Sequence, residues 1–229
     1  MHGLTTIEMD LGGERVVLRG DRSLYWPREQ MLVIADLHLG KTESLRADGV
    51  ALPDGAMQDD LARLARGLDD TGARQLLILG DLVHDAAALS PAVRRAVAEW
   101  RSRISALVHL VLGNHDRRVE TMPNEWRLHV TGSWLDIPPF HFVHEHVYPD
   151  PQQGDGRFSW SGHLHPVLSL RSATDAVRVP CFHLRPHAGV LPAFSTLTGG
   201  AAVHLAATDR AVAVVDGMVM QLSPPLRVP

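Results

Sequence analysis

The chain has 229 residues and 14 histidines, and its metal-competent side chains gather in five short clusters. Asp36-Leu37-His38 follows the apolar run Met31 to Ala35. Gly80-Asp81, with His84 close behind, follows Gln75 to Leu79. Gly113-Asn114-His115-Asp116 follows Leu107 to Leu112. His144-Glu145-His146 follows Phe140 to Val143, and Gly162-His163-Leu164-His165 follows Phe158 to Ser161. Carboxylate, amide and imidazole groups are the ligands that borderline divalent ions take. Any one of these clusters alone reads as a polar turn; five of them, each just past an apolar run, read as one site. Two Asp, one Asn and four His supply enough ligand atoms for two ions that share a carboxylate. Two ions about 3.5–4 Å apart clamp a phosphoryl group, lower the pKa of a bridging water and stabilise in-line displacement. No covalent nucleophile competes with this reading. Cys181 is the single cysteine and sits in a strand-like run, no Gly-x-Ser-x-Gly elbow is present, and there is no Walker A loop.

The elements that must position these clusters follow from the apolar pattern. Met31 to Ala35, Gln75 to Leu79 and Leu107 to Leu112 are continuous apolar runs of strand length, the pattern of strands buried on both faces. Between the first two, Asp54 can cap a helix with Leu61, Leu64, Ala65 and Leu68 on one face and a stop at Gly72. Between the second and third, Ser90-Pro91 opens a helix whose face carries Val93, Val97, Trp100 and Ile104. Strand, helix, strand, helix, strand predicts three parallel strands. Ligands in such sheets bind at the carboxyl ends of the strands, so Asp36, His38, Asp81, Asn114 and His115 should converge. Val16 to Leu18 and Leu24 to Trp26 read as short strands ahead of this unit. The second half is rich in proline and poor in helical period. Strands are predicted at Phe140 to Val143, Phe158 to Ser161, Val177 to Leu184, Ala211 to Val215 and Met218 to Leu222, the last two joined by an Asp216-Gly217 turn. Two packed sheets with helices outside, in a single domain over 1–229, is the expected organisation.

Composition narrows the field further. Hydrophobic residues make up 45% and charged residues 21%, an ordinary globular balance. Net charge is −4, so the chain is no generic polyanion binder and any nucleic-acid contact must be local. Aromatics are 5%, too few for an extended base-stacking platform. No apolar stretch is long enough to span a membrane, and the first dozen residues lack a signal-peptide pattern, which predicts a cytoplasmic enzyme. Lys41 is the one lysine, and it follows the first cluster.

The order Asp36-x-His38, Gly80-Asp81, Gly113-Asn114-His115-Asp116, His144, Gly162-His163-x-His165 resembles the calcineurin-like metallophosphoesterases over residues 31–166. Within them it is most similar to the bacterial ligase-associated DNA-damage-response endonucleases, through residues 35–41, 80–84, 162–166 and 192–200. The resemblance implies an α/β fold, a four-layer α/β/β/α sandwich of two mixed sheets flanked by helices. It implies Asp36, His38 and His165 on one metal, Asn114, His144 and His163 on the other, and Asp81 bridging. His115 would be the general acid, oriented by Asp116. Many relatives have a small residue where Glu145 stands, and His146 is an alternative to His144. His84 and Arg117 are candidate phosphate contacts. The implied activity is a dinuclear phosphodiesterase, a nuclease in DNA repair, using Mn²⁺ with Fe, Zn or Co as alternatives. A repair ligase or helicase would be its partner. The competing readings are hydrolysis of a small nucleotide or other small phosphodiester, and a non-catalytic metal scaffold. His2, His109, His129, His141, His183, His187 and His204 are expected to be structural or on the surface.

Overall fold

In the computed structural model, residues 3–47, 49–51, 55–145, 156–171 and 176–222 are described. The first sheet is built from β1 (Thr6–Leu11), β2 (Glu14–Arg19), β3 (Leu24–Trp26), β4 (Met31–Ile34), β5 (Gln75–Leu79), β6 (Leu107–Val111) and β7 (Leu128–Gly132), in that spatial order. Its first four strands are antiparallel neighbours, and β4, β5, β6 and β7 run parallel. Helices α1 (Lys41–Ala47), α2 (Ala56–Thr71) and α3 (Pro91–Arg103) lie in the connections. The second sheet holds β8 (Trp134–Ile137), β9 (Phe140–Val143), β10 (Phe158–Ser161), β11 (Pro166–Arg171), β12 (Ala176–Arg185), β13 (Ala188–Val190) and β14 (Ala201–Ala202). Its order is β14-β11-β12-β13-β10-β9-β8, and β15 (Arg210–Val215) with β16 (Met218–Leu222) continues from β12.

The apolar runs are continuous because the first sheet is buried on both faces. Met31, Val33, Leu77, Leu79 and Val111 point into a core shared with the second sheet. Leu32, Ile34, Leu76, Ile78, Val108 and Leu110 point the other way, onto Leu61, Leu64 and Leu68 of α2 and Val93 and Val97 of α3. Large rings fill the inter-sheet core: Trp26 and Phe140 have centroids 4.6 Å apart, and Phe158 and Trp160 5.1 Å. The helix ends follow the sequence signals. Gly72 caps α2 in the left-handed conformation, and the Ser90 hydroxyl accepts from the Val93 amide at 3.3 Å, with Pro91 opening α3. Gly55 stands at the start of α2, and the expected cap Asp54 lies outside the described residues.

The two mixed sheets match the expected sandwich, with one difference in the outermost layer. Helices cover the outer face of the first sheet. On the second, Leu168, Val179, Cys181, Ala211 and Ala213 are covered by Val203, Leu205 and Leu222. Among the described residues no α-helix follows α3, so a thin apolar cover stands there in place of a helical layer. No helix of the described residues is long and apolar enough to cross a membrane.

Candidate metal centre

The loops after β4 and β5 stay zipped together beyond the ends of their strands. The Asp36 amide donates to the Gly80 carbonyl at 3.2 Å, His38 to Asp81 at 2.9 Å, Leu39 to Leu82 at 2.8 Å, and His84 back to Leu39 at 3.0 Å. Asp36, His38, Asp81, His163 and His165 all carry positive φ, between 46° and 66°. Such backbone is costly for side-chain-bearing residues and gathers at functional sites. Here it turns successive side chains inward at the sheet edge. Close approach also dictates two glycines. A Cβ on Gly80 would lie 2.3 Å from the His144 Nδ1, and one on Gly113 would lie 2.3 Å from an Asp81 carboxylate oxygen.

Three groups of ligand atoms result, each with its members within 4.8 Å of one another: Asp36, His38 and His165; Asp81, His144 and His163; and, at the mouth, His38, His84 and His115. The last has no carboxylate, so the first two are taken as the ion positions. Asp36 Oδ1 lies 3.2 Å from His165 Nε2. Asn114 Oδ1 lies 3.1 Å from His144 Nε2, joining the second group. Asp81 stands between the groups, with Oδ2 3.8 Å from His38 Nε2 and Oδ1 3.3 Å from His144 Nε2. Asp36, His38, Asp81 and His144 are buried, whereas His163 is exposed.

The donor set fits divalent ions. Both ring nitrogens of His38 and Nε2 of His165 are buried without a hydrogen-bond partner. Buried polar atoms in that state cost free energy unless something binds them, and an ion does so. Backbone carbonyls fix two of the rings. His144 Nδ1 donates to the Leu79 carbonyl at 2.8 Å and His165 Nδ1 to the Gly199 carbonyl at 3.0 Å, so each presents Nε2 to the centre. The His163 amide donates to both Asp36 oxygens, at 3.0 and 3.2 Å.

The electrostatics agree with a buried charge cluster. Burial drives the His38 imidazole well below its ordinary value, against the pull of Asp81. Burial alone would raise the Asp81 carboxyl, but the hydrogen bond and charge of His144 and the His115 amide hold it low. His144 is raised: burial works against its charge, and the contact with Asp81 and the charge of Asp36 outweigh it. Burial lowers His84, with Lys41 and His115 adding to the effect, and burial also lowers Lys41.

His115 lies at the mouth of the centre. Its amide donates to Asp81 Oδ1 at 2.9 Å, and its Nε2 lies 3.9 Å from Asp81 Oδ2. Its Nδ1 contacts the His84 backbone carbonyl, and the two rings stack at 5.3 Å. Asp116, the residue expected to orient His115, is engaged with backbone amides. Asp116 is buried, and its carboxylate accepts from the Val83 and Gly113 amides, both at 3.0 Å. It clamps the loops after β5 and β6 while a carbonyl holds the imidazole. Arg117 is ion-paired with Glu145, so its guanidinium ties the His115 loop to the His144 loop. His146 lies outside the described residues.

The structure therefore gathers Asp36, His38, Asp81, Asn114, His115, His144, His163 and His165 at one edge of the sandwich, with His84 beside His38 and His115. His109, His141 and His183 are engaged elsewhere, with Gln75, Asp136 and Asp209. Cys181 is buried and its thiol is pushed up to about 12 by burial, which removes it as a nucleophile. Sequence reasoning missed the carbonyls of Leu79, His84 and Gly199 that orient three imidazoles. A backbone carbonyl carries no residue-type signal, so nothing in the sequence marks them.

A family model described as calcineurin-like phosphoesterase matches residues 30–196. The structure is similar to that of the Pseudomonas putida nuclease MPE, at 33% identity and a TM-score of 0.82, covering 95% of this chain and 100% of that one. It also matches the E. coli phosphoesterase Yfce at 16% identity and a TM-score of 0.41, covering 84% of this chain and 98% of that one. No curated protein matches the chain.

Proposed function

Because the chain belongs to the calcineurin-like phosphoesterases and is a metal-dependent phosphoesterase, we propose that it is a phosphodiesterase that cuts nucleic acid. The observation that carries this reading is the pair of ligand groups flanking Asp81, with His115 at their mouth. The similarity to a nuclease over nearly the whole chain supports the substrate class. Asp36, His38 and His165 would hold one ion, Asn114, His144 and His163 the other, and Asp81 would contact both. Two divalent ions there supply Lewis acidity to a phosphoryl oxygen and an acidified water.

The chain's own residues do the rest. The carbonyls of Leu79 and Gly199 keep His144 and His165 in one tautomer and aim. The Asp116 clamp keeps the loops after β5 and β6 at fixed separation. The His84 carbonyl accepts from His115 Nδ1, which leaves Nε2 facing the centre, where the imidazolium form, with a proton on each nitrogen, would give its Nε2 proton to the departing oxygen. Partial exposure of the His115 ring lets a substrate oxygen reach it. The resemblance supplies the finer reading: Mn²⁺ as the ion, DNA repair as the setting, a ligase or helicase as partner, and the cytoplasm as the place.

The test is a panel of single-stranded, duplex and flap oligonucleotides with Mn²⁺, run beside small phosphodiesters. Metal-dependent internal cleavage of at least one oligonucleotide class is expected. Turnover of small phosphodiesters with every oligonucleotide left intact would overturn the nucleic-acid reading.

A further inference from the structure

A cavity of about 440 Å³ opens where the turn between β2 and β3 meets α2. Three arginines line it: Arg22 from the turn, and Arg63 and Arg66 one helical turn apart on α2. None belongs to the metal-ligand groups. Arg22 donates to the carbonyls of Ser195 at 2.9 Å and Ala193 at 3.3 Å, and Arg63 donates to the Phe194 carbonyl. That same segment donates its amides to Ala35 at 2.8 Å and Asp36 at 3.2 Å. The cavity thus lies across one extended segment from the metal centre, on the same edge of the sandwich.

The charges here are not balanced pair by pair. Asp21 and Asp70, which line the cavity, are engaged with the buried Arg19. Asp60 answers Arg63 at 2.9 Å. Arg66 has no carboxylate partner among the described residues, and Arg22 has only carbonyls. Asp216 is the remaining carboxylate at the wall, and it is exposed. The Arg63 Nε is buried with no hydrogen-bond partner. The Arg22 pKa is lowered by burial and by the charge of Arg63, with the Asp60 carboxylate pulling the other way. Three guanidiniums line one cavity, and Arg66 among them has no carboxylate partner among the described residues, an arrangement that an oxyanion relieves. Guanidinium forks match phosphate oxygens with paired hydrogen bonds.

We propose that this cavity is a second site, which binds the phosphate group of a ligand through Arg22, Arg63 and Arg66. It is independent of which phosphodiester the metal centre cleaves. The phosphate has two possible sources: a free phosphate-bearing anion, or the backbone of a strand lying along this edge.

Calorimetric titration of the full chain with pyrophosphate, in excess chelator, tests the site without any contribution from bound metal. Arg66→Glu is the informative variant, because Arg66 is exposed on α2 and its replacement leaves the core packing intact. Pyrophosphate should bind the wild type and Asp81→Asn alike. It should bind Arg66→Glu at least about tenfold more weakly, the scale of one charge-assisted hydrogen bond. Single-stranded oligonucleotide binding, measured in parallel, separates the sources. If Arg66→Glu weakens both ligands, the site takes the strand backbone; if it weakens pyrophosphate alone, the site takes a free anion. Either result supports the site. No pyrophosphate binding by the wild type, or equal binding by Arg66→Glu, would overturn it. Because no turnover is read, failure here is distinct from failure of the nuclease reading.

Discussion

Asp81 directs one carboxylate oxygen at each ligand group, 3.8 Å from His38 and 3.3 Å from His144. Its loss should disable both ion positions, whereas loss of His38 touches one. Asp81→Asn is therefore expected to abolish turnover at saturating Mn²⁺ while His38→Gln keeps a measurable rate. Equal residual rates would refute the shared position. His115 makes a different demand. Its Nδ1 is held by a carbonyl and its Nε2 faces the centre, so it should act on the leaving group and leave the ions in place. His115→Ala should keep its metal content and lose about 10²- to 10⁴-fold on an alkoxide leaving group, but little on p-nitrophenolate. Metal loss, or equal damage to both substrates, would show that His115 is not the general acid. The protonation of His144 sets a pH dependence. Contact with Asp81 and the charge of Asp36 raise its pKa above the ordinary value, and the ligand form is the neutral ring. Ion affinity should therefore climb as pH rises from about 6 to about 8, because fewer protons must be displaced. Titration of Mn²⁺ at several pH values checks this, and a flat profile would contradict it.

At the scale of elements, the loops matter more than the strands they follow. Asp116 accepts the buried amides of Val83 and Gly113, and so spans the loops after β5 and β6. Asp116→Ala leaves two donors without an acceptor, at about 1–3 kcal/mol each. A lowered denaturation midpoint and reduced turnover on every substrate are expected, with partial recovery in Asp116→Asn, whose side-chain oxygen can still accept. If turnover fell only on substrates with poor leaving groups, Asp116 would be serving His115 instead. This role is not legible in the sequence, since an Asp next to a His reads equally as its partner or as a loop clamp. Other elements are legible for clear reasons. β4, β5 and β6 stand out because both faces are buried, α3 because its Ser90 cap and apolar face agree, and α2 because its apolar face and its Gly72 stop agree. β9, β10 and β16 fall where the short strand runs predict them. β7 and β8 escape sequence reading because they are short and polar residues such as His129, Thr131 and Asp136 break up any apolar run. β1 alternates exposed and half-buried residues along TIEMDL, a pattern easily taken for a polar terminus. The ligand clusters are legible because strand ends in a parallel sheet converge whatever lies between them.

For the whole molecule, the decisive feature is that the two ligand groups draw on both sheets. Asp36, His38, Asp81 and Asn114 follow strands of the first sheet, and His144, His163 and His165 follow strands of the second. The protein's own groups join this edge by a few polar contacts, such as His165 to Asp36 and His163 to the Asp36 carboxylate, while the buried ring nitrogens of His38 stay unpaired. Ions bound there would tie the two sheets together at this edge. A ligand present at 100-fold over its Kd stabilises the native state by about 2.7 kcal/mol, which for a chain of this size shifts the melting temperature by roughly 5–10 °C. Chelation should reverse that shift. Hydrogen exchange then distinguishes a bridge from a local effect. Amides at 36–39 and 80–84 on the first sheet, and at 162–164 on the second, should all exchange faster with chelator. The β15–β16 hairpin holds no ligand and should keep its rate. Acceleration confined to one sheet would mean that the ions are held by that sheet alone, and that the second sheet contributes packing but no coordination.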